Sequence, residues 1–157
     1  MRNAAQLILA VTLPLAVGGL SGFATASGVA SWYPTLAKPS FNPPAWVFGP
    51  TWTVLYILMG VALFLVWQQG LNTQGVRLAL FVFGVQLMLN ALWSIIFFRM
   101  QSPGWAFAEI ILLWIAIIAT LWAFWRVMPA AGWLLVPYLA WVSFAAVLNG
   151  SIWFLNR

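Results

Sequence analysis

The chain has no cysteine, no histidine and a single acidic residue, Glu109, in 157 residues. Without cysteine there is no disulfide, thiol nucleophile or thiolate metal site, and the redox compartment leaves no trace in the sequence. Without histidine the usual proton shuttle and metal ligand is missing as well. Hydrolytic or hydride chemistry would need a nucleophile–base pair or a nucleotide-binding loop, and neither is present. Charge of either sign is scarce: 4% of residues are charged, against roughly a quarter in an ordinary soluble domain. A chain that is 65% hydrophobic cannot cover itself with a solvated surface. It reads as an integral, multi-pass membrane protein in contact with the lipid bilayer. The net charge of +5 is carried by isolated residues (Arg2, Lys38, Arg77, Arg99, Arg126 and Arg157), which suits snorkelling anchors at span ends and not nucleic-acid binding.

What the chain has in abundance is indole. Twelve residues are tryptophan, a side chain used at membrane interfaces, in cores and in pockets for flat aromatic ligands. Cutting at charges and at Pro/Gly clusters leaves five apolar stretches: Gln6–Ser27, Thr51–Gln68, Arg77–Phe98, Gly104–Trp125 and Trp133–Leu155, each of 18 to 23 residues. About 20 residues of helix cross a ~30 Å hydrocarbon core, and helices satisfy their own backbone bonds in lipid. The alternation a barrel needs is missing. The expected fold is therefore an all-α, five-transmembrane-helix antiparallel bundle in one membrane domain. Short links at 69–76, 99–103 and 126–132 make consecutive spans antiparallel neighbours.

The connection over Gly28–Pro50 holds five of the nine prolines, interleaved with aromatics. Proline at this density predicts a stiff, extended, non-helical path. Such a segment is either an anchor at the membrane interface or a lid over one end of the bundle, and we read it as a lid. The N-terminus resembles a signal peptide: Arg2, an apolar run and Ala24-Thr25-Ala26. Gly18, Gly22 and Ala26 argue for a retained helix instead, since a small-xxx-small face packs closely on a neighbour. Ala146 and Gly150 are a second candidate for close contact. Basic residues fall three to each side, so they choose no orientation. No internal repeat of the transporter kind is apparent.

Helical spacing gathers a constellation near the loop side. Gln86, Asn90, Trp93 and Phe97 share one face of the third span. Tyr138, Trp141, Ala145, Leu148 and Asn149 share a broad face of the fifth, and Trp52 and Tyr56 open the second. Together they would make an aromatic cavity with Asn90 and Asn149 as its few polar groups, Trp141 as its floor and Ala145 leaving room for a ligand. The competing reading has the asparagines bonding across helices, at about 1 kcal/mol or less each, with the rings as packing. Glu109, about one and a half turns into the fourth span, would serve as a proton relay, as a partner for a cationic ligand or as a structural acid near a helix N-terminus. A relay would have no next station, which favours the structural role.

The loop reads Trp32-Tyr33-Pro34-Thr35-Leu36-Ala37-Lys38-Pro39, then Asn42-Pro43-Pro44, Trp46-Val47-Phe48, Trp52 and Leu55-Tyr56. Further on come Gln86-Leu87, Asn90, Leu92-Trp93, Phe97-Phe98, Pro137-Tyr138-Leu139, Trp141 and Leu148-Asn149. In this order, over essentially the whole chain, the sequence closely resembles the TspO/MBR family, the tryptophan-rich sensory proteins and the translocator or peripheral benzodiazepine receptor proteins. The resemblance implies a five-helix bundle, commonly a homodimer, that binds protoporphyrin IX, haem and flat aromatic drugs. Porphyrin would be a ligand and not an obligatory cofactor. Carried over by position, the ligand site would comprise Tyr33, Trp46, Phe48, Trp52, Asn90, Trp93, Phe97, Trp141, Ala145 and Leu148. Light-dependent porphyrin breakdown, reported for some bacterial members, would involve Trp52 and Trp141. No metal site is expected, because histidine and cysteine, the usual axial ligands to iron, are lacking. Two departures from the family pattern stand out. Phe41 occupies a position often held by tryptophan, and the sterol-recognition pattern is broken, with no tyrosine between Val147 and Arg157. A sterol partner is therefore not expected.

Overall fold

The computed structural model describes residues 2–157; the side chain of Arg2, expected as an anchor, lies outside the described residues. Among the described residues, five helices are long and apolar enough to cross a membrane. We label them α1 (Arg2–Ser27), α2 (Ala45–Trp67), α3 (Val76–Ser94), α4 (Pro103–Val127) and α5 (Pro129–Leu155). Around the bundle they follow the order α1, α2, α5, α4, α3, so that α3 closes the ring against α1. Cross-helix contacts fix the antiparallel register. Gly18 lies against the Tyr56 ring and Gly60 against the backbone of Ala10 and Val11, and Asn149 Nδ2 donates to the Pro103 carbonyl at 2.8 Å.

The segment expected to be extended is largely helical. After α1 the chain continues through a π-helical turn, Gly28–Trp32, and a 3-10 turn, Tyr33–Thr35, while α2 starts at Ala45. Only residues 36–44 are non-helical. The reason is local. Proline's fixed φ is itself helical, and its missing N–H matters only where a carbonyl four residues back would be its partner. Pro34 sits in the first turn of its short helix, and Pro44 caps α2. Only Pro50 falls inside α2, near its start. The last two links are shorter than expected too. Met128 alone separates α4 from α5, with Pro129 opening α5 where no N–H is needed.

A second π-helical turn, Ile95–Arg99, ends α3 beside the first. Gly28 makes their contact possible, because a Cβ there would run into the Phe98 carbonyl. Buried Met59, Phe83, Phe124, Leu135 and Val142 form the principal core away from the loop. A smaller one beneath the loop centres on Phe97, Ala106, Leu148 and Ile152. Outward faces are apolar, with Leu20, Phe23 and Met88 among the most exposed, as suits lipid contact. Exposed Trp105, Trp122, Trp133 and Trp153 lie near the ends of α4 and α5, where indole rings match the headgroup level. Arg126 and Arg157 lie over the rings of Trp122 and Phe154.

Candidate ligand-binding site

Phe48, Trp52 and Tyr56 recur every four residues along α2 and so project in one direction. Trp93 and Phe97 do the same at the end of α3, and Trp141, Ala145 and Leu148 on α5. These three faces meet around a cavity of about 590 Å³ on the loop side of the bundle, completed by α1 and by Tyr33 and Pro34 above. Ring contacts hold its walls. Trp52 stacks on Tyr56 at 5.5 Å, Trp93 on Phe97 at 5.4 Å, and Phe48 meets Trp141 edge-on at 5.9 Å.

Eight of the ten expected residues line this cavity: Tyr33, Phe48, Trp52, Trp93, Phe97, Trp141, Ala145 and Leu148. Two do not. Trp46 is 76% exposed and points away, for a geometric reason. In an extended loop Trp46 and Phe48 would share a face, but in a helix they stand about 200° apart, and the helix already begins at Ala45. Asn90 is buried behind the wall. The Tyr56 hydroxyl donates to Asn90 Oδ1 at 2.7 Å, Asn90 Nδ2 donates to the Tyr138 hydroxyl at 2.9 Å, and Tyr138 donates to Gln86 Oε1 at 3.0 Å. Asn90 thus touches the cavity only through Tyr56. The other asparagine of the constellation, Asn149, does line it, accepting from Trp93 Nε1 at 3.0 Å.

The cavity carries no charged side chain among its lining residues. Trp141 Nε1 is a buried donor without a partner among the described residues, closed off from the cavity's open space by its neighbours. Such an orphan is uncommon in a folded interior. Sequence reasoning missed the contribution of α1, where Gly18, Gly19, Gly22 and Thr25 form one side. The glycines had been expected to make a close helix contact. Gly18 does so, against Tyr56, whereas a Cβ on Gly22 would meet nothing within 4 Å and Ala26 is exposed. Gly150 is pressed against Phe107 of α4, a contact inside the bundle.

Glu109 is 6% exposed and does not line the cavity; neither carboxyl oxygen has a hydrogen-bond partner among the described residues. It faces inward on α4 with Ala106, Ile110 and Leu113.

Comparison with known proteins agrees with this architecture. The model of the TspO/MBR family matches residues 10–154. The tryptophan-rich protein TspO of Chlorobaculum tepidum is 49% identical over 96% of this chain and 95% of its own length. That of Archaeoglobus fulgidus is 42% identical over 98% of this chain and 99% of its own. The human translocator protein is 43% identical over 78% of this chain and 73% of its own. The chain therefore belongs to the TspO/MBR family, as a multi-pass integral membrane protein of five helices.

Proposed function

We propose that this protein is a membrane receptor or sensor that binds porphyrins and other flat aromatic ligands in the cavity beneath its proline-rich loop, and through them regulates tetrapyrrole or stress metabolism. One observation carries the reading: indoles from three separate helices, Trp52, Trp93 and Trp141, converge on a single cavity of about 590 Å³. That is within the ~300–1,000 Å³ usual for small-molecule sites. Broad ring faces would stack on a macrocycle at ~0.5–1.5 kcal/mol per contact beyond the area buried. Because the chain has no histidine or cysteine, binding would rest on the ring and not on iron, so metal-free protoporphyrin should bind about as well as haem. A homodimer, as the family resemblance implies, would carry one such cavity in each subunit.

The test is titration of protoporphyrin IX against intrinsic tryptophan fluorescence in detergent or nanodiscs, with Trp141→Phe as the probe of the site. Saturable quenching weakened by that variant supports the reading. Preference for haem with a six-coordinate iron spectrum would contradict it.

A second reading is light-driven porphyrin breakdown, favoured by Trp52 and Trp141 both bordering the cavity. Bleaching of bound porphyrin under light should then be abolished by Trp52→Phe or Trp141→Phe and unaffected by Trp67→Phe. Equal rates in every variant and in detergent alone would remove its basis. Transport of a porphyrin ranks below both, since a single intramembrane acid supplies no ion-coupled path.

A further inference from the structure

The cavity is sealed on some sides and open on one. Its α3 and α5 walls are closed, with Phe97, Leu148 and Ile152 each 5% exposed or less. Its exposed lining residues lie mainly along α1 and α2, among them Gly19, Gly22, Gly49 and Thr53. A Cβ placed on Gly19, Gly22 or Gly49 would meet nothing within 4 Å. Further from the loop the same two helices touch, at Gly60 against Ala10 and Val11 and at Gly18 against Tyr56. They therefore part just above Tyr56 and leave a gap. Gly49 and Thr53 lie roughly 6 and 12 Å along α2 from its start. In a bilayer with a ~30 Å core, the gap faces hydrocarbon and its adjoining interface.

The loop end is fastened. Asn156, just past α5, holds Ala37 from both sides: the Ala37 N–H donates to Oδ1 and Nδ2 donates to the Ala37 carbonyl, each at 2.9 Å. The Tyr33 hydroxyl donates to Asn42 Oδ1 at 2.8 Å, and Lys38 Nζ donates to the carbonyls of Pro34 and Leu36. Phe41 packs edge-on against Phe144 of α5.

We propose that ligands reach the cavity sideways from the bilayer, through the gap between α1 and α2 past Gly22 and Gly49, while the loop stays latched. This rests on the cavity being the binding site proposed above. The compounds it admits are flat aromatics with an apolar ring face that already partition into lipid. The rim has no charged group to desolvate, and its small residues let a planar ring pass edge-on. Water-soluble aromatics would have no comparable route.

The experiment uses the full chain in liposomes, with protoporphyrin IX as the probe and stopped-flow tryptophan quenching as the readout. Gly22→Leu and Gly49→Leu narrow the gap from opposite walls, and both have room to fold. Gly22→Ala gives a milder step, and Asn156→Ala releases the latch. Association and dissociation should both slow by about tenfold or more in the leucine variants, since a narrowed doorway affects both directions. Asn156→Ala should leave both rates unchanged, and the association rate should follow the mole fraction of probe in the lipid. Faster exchange in Asn156→Ala with unaltered rates in the glycine variants would overturn the proposal in favour of entry past the loop. So would an unchanged association rate in folded Gly22→Leu, whatever its affinity, because Gly22 would then border the site without narrowing the way to it. A wild-type protein showing no saturable quenching would instead defeat the binding site itself, and the route with it.

Discussion

The two halves of the α1–α2 pair are built from the same residue type and do opposite things with it. Away from the loop, Gly60 lets the α1 backbone come down onto α2, and Gly18 receives the Tyr56 ring. Toward the loop, Gly22 and Gly49 receive nothing, and the helices separate around a cavity. A small residue thus acts as a contact where its neighbour is large or close and as an opening where the opposite residue is also small. Motif spacing alone does not distinguish the two. The sharpest way to break this comparison is to put the same side chain into each half. Gly60→Leu should destabilise by about 3 kcal/mol or more through overpacking. Gly22→Leu should leave stability within about 1 kcal/mol, since leucine is the better helix former. Thermal unfolding in one detergent measures both. Equal losses at the two positions would mean that the helices do not diverge.

The next largest effect concerns the wall and not the opening. Asn90→Leu removes the acceptor of the Tyr56 hydroxyl and leaves that donor buried. The expected cost is about 1–3 kcal/mol, accompanied by weaker ligand binding, because Tyr56 carries the stacked Trp52 ring. Combining it with Tyr56→Phe should recover much of the stability, since two apolar partners leave no donor unpaired. If Asn90 contacted the ligand directly, the double variant would regain stability and show no gain in affinity.

The five spans and the three converging faces were legible in the sequence because they follow from helical period and apolar length alone. Trp52 and Tyr56, for example, are on one side of α2 whatever surrounds it. The start of α2 was not legible. Proline count suggested an extended path, whereas the cost of a proline depends on where it falls relative to a helix start, and Pro34 and Pro44 fall where it is low. That one boundary decided Trp46. The wall of α1 was missed for a related reason: a glycine has no side chain to announce which surface it exposes. The identity of the family was carried by the loop motif, where aromatic and proline residues succeed each other too specifically for chance.

Trp141 offers a smaller effect. Its ring borders the cavity while its indole N–H is buried without a partner, so Trp141→Phe should leave stability unchanged or slightly improved and weaken ligands through the loss of ring area alone. A loss of about 1 kcal/mol, near fivefold in Kd, is expected alike for a carbonyl-bearing aromatic and a matched hydrocarbon. Isothermal titration with the two compounds separates stacking from hydrogen bonding. A loss confined to the carbonyl compound would mean that the indole N–H reaches the ligand.

The smallest effect is expected at the residue on the other side of the helix. Trp46 and Phe48 are two positions apart in the loop motif, and a linear reading of that motif treats them alike. On α2 they are separated by about 200°, with Phe48 against Trp141 and Trp46 76% exposed. Trp46→Ala should therefore leave protoporphyrin affinity unchanged, and Phe48→Ala should weaken it by about tenfold or more through the loss of a ring contact and the apolar area it covers. The place for Trp46 is the membrane interface, near the start of a span, where an amphipathic ring is favoured. Parallel fluorescence titrations in nanodiscs decide the matter. Should Trp46→Ala weaken binding as much as Phe48→Ala, the loop would have to unwind from α2 when ligand binds, and the latched lid would be wrong.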